Sequence, residues 1–390
     1  MKDPKAEHGM LTTDKSICIF LPSLRGGGVE RMRVNIANCL VGRGFFVDLV
    51  LVQSEGPYRS EVAEGVNVVD FRARKVSSSI PRLVRYLRRK RPAALLSAMG
   101  HTNVAALVAR AVSGVNCRVV VSEHTHLTSS YGGQPSRKGA LVRRLRRVLY
   151  PRADAVVAVS SGVADDLARL TGLDRRGVAV IHNPVTTPAI DKLRREPVDH
   201  AWLNDRAMPV VMGMGRFTRQ KDFSTLIRAF ARLREAMQAR LIILGEGELR
   251  PELESEVERL GLSEYVSMPG FVANPYAHVA RADVFALSSR WEGFGNVLVE
   301  AMACGTPVVS TDCDSGPAEI LEDGTWGRLV SVGNAEGLAN ALRDTLEETD
   351  TPDVELRAQA FTVDAAVDAY LRLLLPGGRA GDARSPDNVS

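Results

Sequence analysis

WEGFGNVLVEAMACGTPVVSTD, residues 291–312, decides the reading of this chain. Two carboxylates, Glu292 and Glu300, have seven residues between them and stand on either side of a Gly-Phe-Gly turn that opens a helical pattern. A short apolar strand over 307–310 follows at once. A helix N-terminus attracts phosphate through unpaired N–H donors and the helix dipole. A carboxylate can accept from two neighbouring hydroxyls of a sugar ring. Phosphate beside sugar is the outline of a nucleotide sugar.

Outward from that stretch, short apolar runs alternate with helical patterns, which predicts parallel sheets flanked by helices. In the first half the runs fall at 17–21, 47–52, 66–69, 94–96, 118–121, 155–159 and 178–181. A second series falls at 210–214, 241–244, 265–268, 284–287, 308–310 and 328–330. Each series opens with a buried strand that runs into a glycine-containing turn and a helix. The expected fold class is therefore α/β, with two Rossmann-like doubly wound domains facing across a cleft. The boundaries read as a disordered leader at 1–15, an N-terminal Rossmann-like domain at 16–185, a linker at 186–207 and a C-terminal Rossmann-like domain at 208–353. A helix follows at 354–375, and a disordered tail at 376–390.

At 390 residues the chain can bury two cores, and 45% hydrophobic with 25% charged residues is the balance of a globular protein. Cys18, Cys39, Cys117, Cys304 and Cys313 are odd in number and lack a CxxC pair, so they read as small core residues in a reducing compartment. No run approaches the ~18 apolar residues of a membrane span. A cytoplasmic location is expected, with any membrane contact peripheral and at the inner face.

With the string FGNVLVEAMACGTPVV in view, the chain resembles the retaining glycosyltransferases of family 4, which have the two-domain GT-B fold. The order of landmarks carries this resemblance over residues 16–375. It implies that Gly27 and Gly28, in the turn GGVER, lie over the donor diphosphate, with Glu30 and Arg31 on the acceptor side. It implies that His124 contacts the donor sugar close to the reacting carbon; His126 is a neighbouring competitor. Arg216 and Lys221, in GRFTRQKD, correspond to the cations that stabilise the leaving diphosphate. Gly270 and Phe271 border the base, with core packing an equal alternative for Phe271. Glu292 contacts hydroxyls of the transferred sugar, Glu300 binds the ribose, and Phe294, Gly295, Asn296 and Val297 offer backbone amides. The resemblance also implies that the 354–375 helix crosses back onto the N-terminal domain. No cofactor is expected, since the nucleotide sugar is a substrate. No metal is expected either: Asp312-Cys313-Asp314 spells the D-x-D of metal-dependent enzymes of the other major fold, but reads here as a turn with capping carboxylates.

Charge adds a partner. Residues 81–91 hold six Lys/Arg and 125–153 hold seven, with no acid in either stretch. Leu141, Val142, Leu145, Val148 and Leu149 fall at helical spacing, so basic helices at 81–91 and 137–152 are expected to meet an anionic membrane carrying a lipid-linked or glycan acceptor. A solvated helix packed by its apolar stripe is the alternative. Nucleic acid is not expected, because aromatics are sparse. The expected activity is transfer of a hexose or N-acetylhexosamine from a UDP-sugar. The rivals are a non-catalytic nucleotide-sugar-binding subunit and an epimerase of the same fold.

Overall fold

Each of the apolar runs forms a strand in the computed structural model, which describes residues 15–25, 27–130 and 137–376. Most of the expected leader and tail lies outside those residues. The strands are β1 (Ser16–Leu21), β2 (Phe46–Leu51), β3 (Val66–Asp70), β4 (Ala94–Ala98), β5 (Arg118–Glu123), β6 (Ala155–Ala158) and β7 (Val178–Val180), then β8 (Val210–Met214), β9 (Arg240–Leu244), β10 (Val266–Gly270), β11 (Val284–Leu287), β12 (Val308–Asp312) and β13 (Arg328–Ser331). Two all-parallel sheets result, ordered β3-β2-β1-β4-β5-β6-β7 and β10-β9-β8-β11-β12-β13. Parallel strands need helical crossovers that cover both faces, which is why these strands read as continuous apolar runs rather than alternating ones.

The described chain divides into two compact units. The N-terminal unit takes residues up to Val159, Val163–Pro184 and Val363 onward; the C-terminal unit takes Ser160–Gly162 and Val185–Thr362. The 186–207 stretch, expected as a linker, is a folded part of the C-terminal unit. It carries the helices Pro188–Leu193 and Ala201–Asp205, and it buries Ile190, Val198 and Leu203. Asn274 Nδ2 fastens it by donating to Leu193 O and Glu196 at 2.8 Å each.

The single helix expected over 354–375 is broken. Val354–Ala358 belongs to the C-terminal unit, and Val363–Leu374 to the N-terminal one. The break falls where the amides of Val185 and Thr186 both take Phe361 O, at 3.0 Å each, while Phe361 buries its ring against Phe294 at 5.4 Å. A carbonyl so used cannot also serve a helical ladder. Helix Val363–Leu374 packs on helix Gly28–Gly42, completing the core with Ala366, Val367, Tyr370 and Leu374. Arg43 fixes its outer side through Asp364 at 2.5 Å and through Asp368. Leu374→Ala is expected to lower stability by about 2–5 kcal/mol through the cavity left behind, measured as a shift in the denaturant midpoint.

Candidate active site

In the C-terminal sheet the order reverses between β8 and β11, so the loops beyond their carboxyl ends splay apart and leave room for a ligand. Backbone hydrogen bonds lace these loops together. Gly215 N donates to Leu244 O at 2.9 Å, Phe217 N to Glu246 O at 2.8 Å, and Gly245 N to Gly270 O at 2.9 Å. Gly245 has φ +137°, and a Cβ there would stand 1.9 Å from Gly215 O, so only glycine permits the approach. Across the switch point Arg290 N donates to Gln220 O and Ser288 Oγ to Lys221 O, both at 2.8 Å.

That lacing sets Lys221 against Glu292. Lys221 Nζ lies 2.6 Å from Glu292 Oε1, with the side chains 15% and 9% exposed. The lysine stem runs along Gly215, where a Cβ would meet its methylenes at 3.1–3.2 Å. Ser289 Oγ donates to the same Oε1 at 2.6 Å, and Gln220 Nε2 reaches Oε2 at 3.5 Å. Oε1 is therefore fully engaged, and Oε2 keeps acceptor capacity for a ligand hydroxyl. Arg216, on the same loop, is exposed and has no side-chain partner among the described residues.

The helix Asn296–Ala303 starts beside Glu292, its N-cap Gly295 in the left-handed region at φ +103°. The opening N–H groups, those of Asn296 and Val297, have no carbonyl one turn back within the helix. Glu300 lies one turn further on and accepts from Tyr276 OH at 3.3 Å. Phe294 is 2% exposed and packed on Phe361, so its backbone, and not its ring, is what it can offer. Phe271 is 83% exposed beside Gly270, which leaves out core packing for its ring. A neighbouring hollow of about 240 Å³ includes Arg219, but its other cations are taken: Arg290 by Asp222 at 3.0 Å and Arg228 by Glu256 at 3.4 Å. The side chains of Asp312 and Asp314 are exposed, and no metal-holding group of His, Cys, Asp or Glu occurs among the described residues.

The remaining predicted residues lie at the carboxyl edge of the N-terminal sheet. Gly27 caps helix Gly28–Gly42, and the Glu30 carboxylate folds back over it, so that a Cβ on Gly27 would be 2.2 Å from Glu30 Oε2. Burial pushes the Glu30 carboxyl up. Arg31 turns toward Glu61 at 3.7 Å and over the Tyr58 ring. His124 follows β5 directly and is half-buried, with its Nδ1 fully enclosed. Burial, then the Arg33 cation, hold its imidazole well below the usual 6.5. His126 belongs to another network, Nδ1 lying 2.8 Å from Ser129 Oγ and Nε2 3.9 Å from Asp166.

The basic helix Arg137–Leu149 departs from expectation. Arg146, read as part of its cationic face, is 4% exposed and pairs with buried Glu123 at 3.0 Å. Leu141 and Val148, read as part of the packed stripe, are 58% and 51% exposed. A buried carboxylate needs a cation more than the core needs two more aliphatic groups, so the helix turns Arg146 inward. Tyr150 and Arg152 lie in the short 3₁₀ turn beyond it. In helix Val76–Lys90, Arg82, Arg85, Arg88, Arg89 and Lys90 are exposed.

Sequence reasoning missed Ser289, Gln220, Tyr276, Arg33, Asn183 and Tyr370. Arg33 alone left a signal: Val29, Arg33, Ile36, Ala37 and Leu40 fall on one helical face, where a lone arginine is out of place.

Two acceptor carboxylates, a lysine and an arginine flank a helix N-terminus at a sheet's switch point, on a fold of the GT-B class. Comparison with known proteins gives the class directly. Residues 208–348 match the family described as glycosyl transferases group 1, and residues 26–188 match Glycosyltransferase Family 4. The chain is 33% identical over 283 residues to the N-acetylgalactosamine-N,N'-diacetylbacillosaminyl-diphospho-undecaprenol 4-alpha-N-acetylgalactosaminyltransferase of Campylobacter jejuni, covering 71% of this chain and 74% of that one. It is 32% identical to the lipopolysaccharide core biosynthesis glycosyltransferase LpsE of Rhizobium meliloti, over 90% and 96% of the two chains. Among solved structures, Anabaena Alr3699/HepE in complex with UDP superposes with a TM-score of 0.74 at 24% identity, over 92% of this chain and 99% of that one. The chain belongs to glycosyltransferase family 4 and is an enzyme of the glycosyltransferase class.

Proposed function

We propose that this glycosyltransferase takes its sugar from a nucleoside diphosphate, UDP in the first instance, and passes it with retained anomeric configuration to a lipid-linked or cell-envelope glycan. The observation that carries the reading is the Lys221–Glu292 pair beside Arg216 and the helix N-terminus at Asn296. The acceptor oxygen bonds to the anomeric carbon while that carbon's bond to the diphosphate oxygen breaks. The acceptor's proton goes to the departing phosphate, and Arg216 and Lys221 stabilise the charge that develops there. Side-chain cations fill the place a metal would take, so activity should persist in EDTA. Glu292 Oε2 takes a hydroxyl of the transferred sugar, Glu300 the ribose, and Phe271 lies against the base; the family resemblance assigns His124 a contact with the sugar.

The relatives support the donor and the acceptor. The Anabaena neighbour was crystallised with UDP and with UDP-glucose. Two Campylobacter relatives carry diphospho-undecaprenol or PP-undecaprenol in the names of their substrates. Release of UDP from a panel of UDP-sugars, with the product's anomeric configuration read by NMR, tests the reading. No turnover with any UDP-sugar and acceptor extract, or an inverted product, would reject it.

Membrane contact is the other part of the proposal. Leu141, Arg144 and Val148 form one exposed stripe on the Arg137–Leu149 helix, greasy and basic together. No helix among the described residues is long and apolar enough to cross a membrane, so the contact would be interfacial. Flotation with phosphatidylglycerol vesicles should recover the protein. The variant Leu141→Glu/Val148→Glu should reduce the bound fraction at least about tenfold, since each basic residue near such a surface contributes only ~1 kcal/mol. Equal flotation of both proteins would remove the helix from the proposal.

A further inference from the structure

Arg33 is a buried cation without a counter-charge. It is 1% exposed on the apolar face of helix Gly28–Gly42, and no carboxylate pairs with it among the described residues. One terminal nitrogen makes all its polar contacts: to Ser122 Oγ at 2.5 Å, His124 Nε2 at 3.1 Å and Tyr370 OH at 3.0 Å. The guanidinium also stacks on Tyr370, 4.8 Å from the ring centre, and its Nε finds no partner. Enclosing an uncompensated charge is destabilising. A group retained at that cost calls for a task, and the proton inventory supplies one.

A guanidinium can only donate and does not deprotonate in proteins. Its Nη2 has two hydrogens for three neighbours, and a hydrogen on the facing His124 Nε2 would oppose them, so Nε2 is set to accept. Ser122 Oγ, also 3.1 Å from Nε2, directs its single hydrogen at Ser97 O, 2.9 Å away, so it does not supply the hydrogen that Nε2 accepts. The proton of the neutral ring is left on Nδ1. Nδ1 is buried and has no hydrogen bond of normal geometry, although the side chain of Asn183 stands by as the neighbour that favours a proton on the ring.

We propose that Arg33, steadied by Tyr370 of the C-terminal helix, is a positioning residue that fixes His124 as the neutral Nδ1–H tautomer. The imidazole is then neutral, its one N–H buried beside Asn183. This rests on the reading of His124 as the group set toward the transferred sugar. An imidazolium there would place positive charge beside an anomeric carbon that itself becomes cationic, and the neutral ring does not.

The surroundings agree. Arg33 is the charged group acting on the ring; Ser122 on its own strand and Asn183 after β7 are neutral, and the Tyr370 hydroxyl reaches Arg33. Burial and then Arg33 lower the imidazole's proton affinity. The unfolded chain binds a proton at this residue below about 6.5 and the folded chain does not, so its contribution to stability is lost as pH falls through that value.

The test is ¹⁵N NMR of the histidine rings in the full-length protein without substrate, with His124 assigned by His124→Gln. The expected wild-type spectrum shows His124 protonated at Nδ1 and bare at Nε2, on both sides of pH 6.5. Arg33→Met should mix the two tautomers and move the titration toward 6.5, and its turnover should gain an acid limb that the wild type lacks. Arg33→Lys, which also only donates, should keep the wild-type tautomer. An Nε2–H tautomer in the wild type overturns the proposal, as does an Arg33→Met spectrum identical to wild type. If Arg33→Met does not fold, the wild-type spectrum decides alone. Because no substrate is present, a wrong reading of His124's target would show separately, as full activity in His124→Gln.

Discussion

Lys221→Ala is expected to lower turnover about 10³-fold, near the upper end of what one electrostatic donor at a developing oxyanion contributes. Its ammonium is already held by Glu292 at 2.6 Å, a carboxylate that Ser289 Oγ holds in turn at 2.6 Å, and its stem is fixed along Gly215. In the proposed reaction, charge that arises on a departing phosphate would thus meet a cation that need not reorganise. Removing the lysine also strands Glu292 in a largely buried place, which costs stability in its own right. The pair Lys221→Ala/Glu292→Gln separates the two effects. It should recover most of the melting temperature lost in Lys221→Ala and none of the turnover. Steady-state kinetics beside thermal melts read both quantities.

Arg146→Ala is expected to destabilise the fold by about 3–5 kcal/mol, the usual result of leaving one member of a buried ion pair behind. Glu123 is 2% exposed at the carboxyl end of β5. It receives Arg146, accepts from Tyr150 OH, and has Asn103 Nδ2 at 3.5 Å. The space is built for the guanidinium: a Cβ on Gly100 would lie 1.6 Å from its Nη2. Gly100→Ala should therefore destabilise in the same direction. Replacing both charges, as Arg146→Met/Glu123→Leu, should recover much of the loss, because an apolar pair of similar volume needs no desolvation. Denaturant titration gives the values. Tyr150→Phe, which removes only one donor to Glu123, should cost about 1–3 kcal/mol.

These two sites mark the limits of what was legible in the chain. The apolar runs named every strand, because a parallel sheet covered on both faces demands unbroken Val, Ile and Leu, and no loop composition mimics that. Lys221, Glu292 and Glu300 were legible as a frame of residues flanking strand ends and glycine turns; the tertiary lacing that brings Lys221 to Glu292 was not. Arg146 was misplaced because helical spacing alone cannot tell a basic face from a basic residue answering a buried carboxylate elsewhere in sequence. Glu123 gave no warning, being an ordinary acid at the end of an apolar run. The break at Phe361 was invisible for a similar reason. It is made by amides at Val185 and Thr186, far away in sequence, that claim a carbonyl the helix would otherwise use.

The most direct measurement is calorimetric titration of UDP and of uridine into the wild type and into Arg216→Met/Lys221→Met. If those two cations hold the diphosphate, UDP affinity should fall by about 100-fold or more in the variant, since each charge-assisted hydrogen bond is worth about 1.5–3 kcal/mol, while uridine binding stays unchanged. UDP and uridine losing affinity equally, or UDP binding as tightly as before, would contradict the account.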